Sequence, residues 1–196
     1  GDNVVYAAPS WDELDDLSYK ICQEIIEKRD KLDRIVTLAK SGWPMTRTMV
    51  DYLNIEKIAS IGVKFYSDIG KREIEPVIYQ KLSIKVKDEN ILLFDDVADT
   101  GGSLIFAKKY LEKQGAKEIK IATLFYKPNS KIKPDYFGKQ VSAWIIFPFE
   151  IRKCLGSISE NWKKRGVEKE EILRKFLQAG FDEKKVNFFL KLGEEK

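Results

Sequence analysis

A chain of 196 residues that is 43% hydrophobic is large enough for one ordinary domain with a real core, plus a small appendage. Its 35 basic and 31 acidic residues are interleaved to a net charge of +4, which argues for solubility and against the clustered positive footprint of a nucleic-acid binder. With no histidine, Ser-His-Asp and Cys-His catalysis and His-ligated zinc are excluded, and any general base is a carboxylate, a lysine or a tyrosine. No run approaches the ~20 apolar residues of a membrane span, and no signal peptide is visible. Gly1 in place of Met suggests a processed or tagged start. Cys22 and Cys154 match no metal or redox spacing, which points to a reducing cytoplasm.

Ser10-Trp11-Asp12-Glu13 forms a capping box, and Leu14, Leu17, Ile21 and Ile25 continue it with helical spacing. Arg34 to Leu38 reads as the first core strand, and a turn over Ala39 to Pro44 leads into a helix near Thr46 to Leu53. Lys57 to Phe65 reads as a second strand. The polar stretch from Ser67 to Pro76 is expected to be a mobile loop or loose hairpin, with Val77 to Leu82 as its return strand. Ile91 to Phe94 is a short apolar run bounded by charge, as expected of a strand buried on both faces. In the helix that follows, Leu104, Ala107 and Leu111 share one face, Lys108, Lys109, Glu112 and Lys113 the other, and Gly115 is a stop. Ile119 to Tyr126 reads as another strand.

This alternation predicts an α/β fold with a mostly parallel central sheet, flanking helices, and ligands outside the C-terminal ends of the strands. After about Glu150 the character changes. Residues 151–196 are charged and predict two short helices, striped by Ile172, Phe176 and Leu177 and by Val186, Phe189 and Leu190, with Gly180 between. The expected organisation is a domain over residues 1–150 and a helical C-terminal extension over 151–196. Chains below ~40 residues bury too little surface to stand alone, so this helix pair is expected to dock on the main domain or on a second subunit.

The most telling stretch is ILLFDDVADTGGSL, Ile91 to Leu104. An apolar strand leads into Asp95 and Asp96, and Asp99-Thr100-Gly101-Gly102-Ser103 opens the helix. A strand, a glycine turn and a helix N-terminus make an anion cradle, because unpaired backbone N–H groups point outward there. Acids beside such a cradle repel a bare phosphate, but they suit a ligand that also carries hydroxyls, such as a phosphorylated ribose. A plain turn with an N-cap accounts for two acids after a strand, but not for three aspartates, a threonine and two glycines together. Asp99-Thr100-Gly101 also matches the aspartic-protease triplet, which needs two such loops where this chain has one. Phospho-accepting receiver domains share paired acids at a strand end but not the Thr-Gly-Gly-Ser turn. Neither a G-x-G-x-x-G fingerprint nor a G-x-x-x-x-G-K-[ST] loop is present.

This stretch resembles the phosphoribosyl-pyrophosphate signature of the purine (hypoxanthine, guanine, xanthine) phosphoribosyltransferases, a type I phosphoribosyltransferase family. The resemblance runs from about Val36 to Glu150. It implies that Asp95 and Asp96 accept hydrogen bonds from the ribose 2- and 3-hydroxyls, directly or through Mg²⁺-bound water. It also implies that Asp99, Thr100, Gly101, Gly102 and Ser103 wrap the 5-phosphate. Lys40-Ser41-Gly42 resembles the pyrophosphate loop, which in the family often has a second glycine where Ser41 stands. Lys64-Phe65-Tyr66 and the loop beyond resemble a segment that closes over the site; from charge alone, Lys71 or Arg72 is expected to cover the pyrophosphate.

By the same resemblance Trp144 stacks on the purine, Lys127 donates to its 6-oxo group, and the backbone around Ile145 and the Glu150 carboxylate face the opposite edge. Lys133, which also precedes Pro-Asp-aromatic, is a rival for the lysine's role. Read from residue types alone, Trp144 fits a core position as well. An ammonium has only donors, so it suits a carbonyl and rejects adenine's amino group.

The implied activity is transfer of a phosphoribosyl group from 5-phosphoribosyl 1-pyrophosphate to N9 of guanine, hypoxanthine or xanthine. Asp99 is the expected base, and the family implies a cytoplasmic homodimer. Two other readings stay open: a phosphoribosyltransferase-fold sensor that binds the sugar pyrophosphate without turnover, and a transferase for another nucleobase. The transfer also requires that Asp96 and Thr100 be reachable by the donor.

Overall fold

The computed structural model describes residues 5–66 and 75–195. In chain order its elements are β1 (Tyr6–Ala7), α1 (Trp11–Glu27), β2 (Arg34–Ala39), α2 (Trp43–Leu53), β3 (Ile58–Tyr66), β4 (Glu75–Gln80) and β5 (Asn90–Ala98). There follow α3 (Gly102–Lys113), β6 (Glu118–Tyr126), β7 (Tyr136–Gln140), β8 (Trp144–Ile145), α4 (Ile151–Lys164), α5 (Lys169–Gln178) and α6 (Glu183–Glu194). The chain forms two compact units, one of Leu14–Ser142 and one of Gly1–Glu13 with Ala143–Lys196.

The larger unit is built on a six-stranded sheet in the order β4-β3-β2-β5-β6-β7. All neighbours run parallel except β4, which returns antiparallel along β3. This is the α/β architecture with a mostly parallel central sheet that the alternation of elements predicts. The apolar run of β5 is buried throughout because the strand sits in the middle of the sheet. Ile91 and Leu93 share a core with Leu104, Ala107 and Leu111, the stripe expected of α3.

Two boundaries differ from the pattern for stated reasons. α2 starts at Trp43, because Pro44 is favoured in a first helical turn. β5 runs to Ala98 because its ladder with β6 continues through Asp95↔Thr123, Val97↔Phe125 and Ala98↔Tyr126. Backbone hydrogen bonding carries a strand past the end of its apolar run. On the other side, pairing of β2 with β5 ends at Thr37↔Phe94. β7, with only two aromatic residues and no clear alternation, goes unannounced by hydrophobic pattern.

The smaller unit contains β1 paired in parallel with β8, and three helices rather than the expected two. Ile146, Cys154, Leu155, Ile158, Ile172, Phe176, Val186 and Leu190 form its core, with Tyr6 and Ala8 packed against it. The division therefore falls near residue 143, since strand pairing and this core tie the N-terminal residues and 143–150 to the helices. Among the described residues no helix is long and apolar enough to cross a membrane.

Candidate functional site

In the larger unit the chain goes from β2 through α2 to β3 on one side, and from β5 through α3 to β6 on the other. The strand order thus reverses between β2 and β5, and a crevice opens at their C-terminal ends, where ligands bind in open α/β sheets. The loop after β2 carries Lys40, Ser41 and Gly42. The end of β5 and the turn after it carry Asp95, Asp96, Asp99, Thr100, Gly101, Gly102 and Ser103. These residues, more than 50 positions apart in sequence, meet here.

The link is direct. Ser41 Oγ donates to Asp95 Oδ1 at 2.6 Å, and the Asp96 amide donates to the same oxygen at 2.8 Å. The serine that stands where the family often has glycine therefore ties the β2–α2 loop to the acids of β5. Gly42 is needed for the close approach of that loop: a Cβ there would overlap Thr37 Oγ1 and lie 3.2 Å from the Phe94 carbonyl oxygen. The Gly42 amide donates to the Leu38 carbonyl at 2.8 Å, and the Ala39–Lys40 peptide is cis. Lys40 is exposed at the loop's start.

Asp95 is 8% and Asp96 5% exposed, since both lie inside the central strand rather than beyond it. Thr100, by contrast, is exposed, and so is Asp99. The two residues expected to be reachable thus differ: Thr100 is open, and Asp96 shows solvent only a narrow edge. Thr100 Oγ1 accepts from the Gly102 amide at 3.3 Å, which leaves its hydroxyl proton for an acceptor outside the turn. Gly101, at φ 87°, caps α3, and a Cβ on it would also meet Ser130 Oγ at 2.7 Å and Ile132 Cγ2 at 2.8 Å. The Lys131 amide, donating to the Thr100 carbonyl at 2.9 Å, holds the turn from outside.

Lys127, immediately after β6, places its Nζ 3.6 Å from Asp99 Oδ1. Its amide donates to the Ala98 carbonyl at 3.0 Å, so its backbone is fastened to the end of β5 and its side chain to the turn that follows. Lys133 points elsewhere, with its Nζ 5.9 Å from the centroid of Phe137. Of the closing segment, Phe65 reaches Gly102, its Cζ 3.1 Å from where a Cβ would stand. Lys71 and Arg72 lie outside the described residues.

Trp144, Ile145 and Glu150 belong to the smaller unit and are described within it. The Trp144 ring is 53% exposed, so it is not a core tryptophan there, and it tilts against Tyr6 at 6.4 Å. The Trp144 and Ile146 amides donate to the Val5 and Ala7 carbonyls of the β1 segment. Alternation along β8 therefore turns the amide and carbonyl of Ile145 toward its other edge. Glu150 sits at the start of α4, with Oε1 3.7 Å from Lys153 Nζ.

Sequence reasoning did not find the Ser41–Asp95 and Lys127–Asp99 pairs, nor the packing of Ser130 and Ile132 on Gly101. The Pro128-Asn129-Ser130 turn was the one local signal for the last of these.

A family model described as "Phosphoribosyl transferase domain" matches residues 10–152. The chain is 27% identical over 172 residues to the hypoxanthine-guanine phosphoribosyltransferase of Lactococcus lactis, spanning 78% of this chain and 91% of that one. It is 29% identical over 133 residues to the bifunctional protein PyrR of Clostridium kluyveri, with coverage of 62% and 75%. The crystal structure of a purine phosphoribosyltransferase from Pyrococcus horikoshii superimposes with a TM-score of 0.67 at 32% identity, covering 74% of this chain and 93% of that one. With the match spanning most of its length and the acids, glycine turn and loop lysine in place, the chain belongs to the phosphoribosyl transferase family.

Proposed function

We propose that the protein transfers the phosphoribosyl group of 5-phosphoribosyl 1-pyrophosphate to N9 of a 6-oxopurine, releasing pyrophosphate. The observation that carries this reading is the Lys127–Asp99 pair at the edge of the phosphate turn, which puts a donor-only cation beside a carboxylate base. Backbone N–H groups of residues 99–103 and the hydroxyls of Thr100 and Ser103 hold the 5-phosphate. The ribose hydroxyls donate to Asp95 and Asp96, and Ser41 holds the Asp95 carboxylate in place. Lys40 meets the charge that develops on the leaving pyrophosphate.

As the bond from C1 to the pyrophosphate oxygen breaks, the sugar gains oxocarbenium character, and N9 closes on C1. Binding of the purine draws the Lys127 ammonium from Asp99 to the 6-oxo oxygen. Asp99 is then left to take the N9 proton, and its charge favours the cationic sugar. A site that donates to a carbonyl discriminates by ~10⁴-fold or more against a base lacking that acceptor. Stacking on Trp144 and contacts from Ile145 and Glu150 are assigned by the family resemblance.

The donor set at the crevice suits Mg²⁺. Asp95 and Asp96 offer only hard oxygen ligands, and this ion is usually held by one or two carboxylates with substrate phosphates and water completing its shell. Among the described residues no cluster of three acids, cysteines or histidines stands ready to hold a metal alone, which suits an ion shared with the donor. Bound there, Mg²⁺ would neutralise charge on the pyrophosphate.

The test is Mg²⁺-dependent pyrophosphate release across guanine, hypoxanthine, xanthine, adenine and uracil. Release with one or more 6-oxopurines, well above adenine and uracil, is expected. Faster release with uracil or adenine overturns the base assignment, and calorimetric uptake of the donor without release under any base makes the protein a sensor.

A further inference from the structure

The smaller unit holds a cavity of about 220 Å³ that plays no part in the transfer described above. Its walls are the rings of Tyr6, Trp162 and Phe176, Ile146 contributes a buried aliphatic surface, and Lys175 supplies a cation on the lining. Only Ile146 of these lies within residues 10–152, the span shared with the family. The site is therefore an addition made by residues around the transferase sequence.

The geometry of the walls selects for a flat ring. Tyr6 and Trp162 meet at 5.9 Å with their planes 84° apart, and Trp162 and Phe176 at 5.9 Å and 55°. A ring laid against one face of such a corner offers its edge to the other, and aromatic quadrupoles favour both contacts. The charge selects for an anion. Lys175, on the lining, holds its Nζ 5.0 Å from the Trp162 ring centroid, so its ammonium stands over the aromatic wall. Glu171, one turn before Lys175, is forked onto Arg174 on both of its oxygens. The volume lies below the ~300–1,000 Å³ of sites for drug-sized ligands, which limits the occupant to one ring system.

We propose that this cavity binds a small aromatic anion, a single ring system carrying one carboxylate or phosphate group. The ring fills the Tyr6–Trp162 corner and the anionic group meets Lys175.

The full-length protein is titrated with benzoate, indole-2-carboxylate and phenyl phosphate, with benzylamine as the cationic control, by calorimetry and tryptophan fluorescence. Saturable uptake of at least one anion is expected, and none of benzylamine. The fluorescence response should vanish in Trp162→Phe. Lys175→Glu should weaken uptake roughly 10-fold or more, the worth of one charge-assisted contact. Ala179→Phe, a substitution at an exposed lining position, should block it while circular dichroism stays unchanged. The carboxylates against phenyl phosphate separate the two kinds of anion. Uptake has to survive Asp99→Ala, so failure of the transferase reading leaves this test standing. No saturable uptake of any anion, equal uptake of benzylamine, indifference to Lys175→Glu, or loss in Asp99→Ala each overturns the proposal.

Discussion

The two units reach their cores by different routes. Leu14–Ser142 is held by parallel ladders between strands far apart in sequence, and its reactive side chains stand where a ladder stops. The helical unit gathers three short amphipathic helices, each of which contributes a stripe read from neighbouring turns. The difference shows what each design can do. Parallel strands bring acids on one strand and a hydroxyl from a neighbouring loop to a fixed separation, as transition-state stabilisation requires. Packed helices leave aromatic corners and cationic rims, which suit binding rather than bond breaking.

That contrast can be broken most severely at Asp99. Asp99→Ala should lower turnover by ~10²–10⁴-fold, the usual worth of a positioned base; steady-state kinetics near the wild type would remove chemistry from the β5–α3 turn. Next comes the helical core. Phe176→Ala, at a 1% exposed position, should cost about 3–5 kcal/mol in urea unfolding followed by Trp162 fluorescence. A loss well under 1 kcal/mol would mean that this unit does not unfold as a packed body.

Lys127→Ala sharpens the comparison within the larger unit. It should reduce kcat/KM for the purine by roughly 10–100-fold, as for a hydrogen bond to a charged group, while calorimetry finds donor affinity little changed. If Lys133→Ala does this instead, the ion pair with Asp99 has no part in reading the base. Ser41→Ala removes the strut between the two loops. A rise of several-fold in KM for the sugar donor is expected, in line with one neutral donor to a carboxylate, with the purine KM unmoved. Equal changes in both constants would make Ser41 a packing residue.

The smallest effect concerns Cys22 on α1, whose thiol burial pushes from 9.0 to about 12. Being raised in the folded protein, it favours folding fully below about pH 9. Above that the unfolded chain releases its proton and the folded one does not, so stability declines as pH rises toward about 12. Chemical denaturation at stepped pH would show the decline, and alkylation of Cys22 at pH 9 should require unfolding. Rapid modification of the native protein would contradict the packing of α1.

Much of the molecule was legible beforehand wherever a side-chain period or a turn residue was at stake. The alternation of strands and helices, the stripe of α3, the return strand β4 and the phosphate turn all follow from local pattern. β7 and the two-residue strands β1 and β8 did not, because they are made by a neighbour's hydrogen bonds rather than by their own hydrophobicity. α4 lay in a stretch whose charge hid its stripe of Cys154, Leu155 and Ile158.

The residue types of the candidate site, down to Asp95, Asp96, Asp99 and Thr100, were legible in the sequence alone, because a strand end, a glycine turn and a helix start place those atoms close along the chain. What they touch was not. Ser41 finds Asp95 across 54 residues because β2 lies beside β5, and Lys127 finds Asp99 because β6 lies on β5's other side. Strand order decides such meetings, as it decides how far Asp96 is covered. Periodicity records which face of an element is apolar; only the folded sheet records which elements are neighbours.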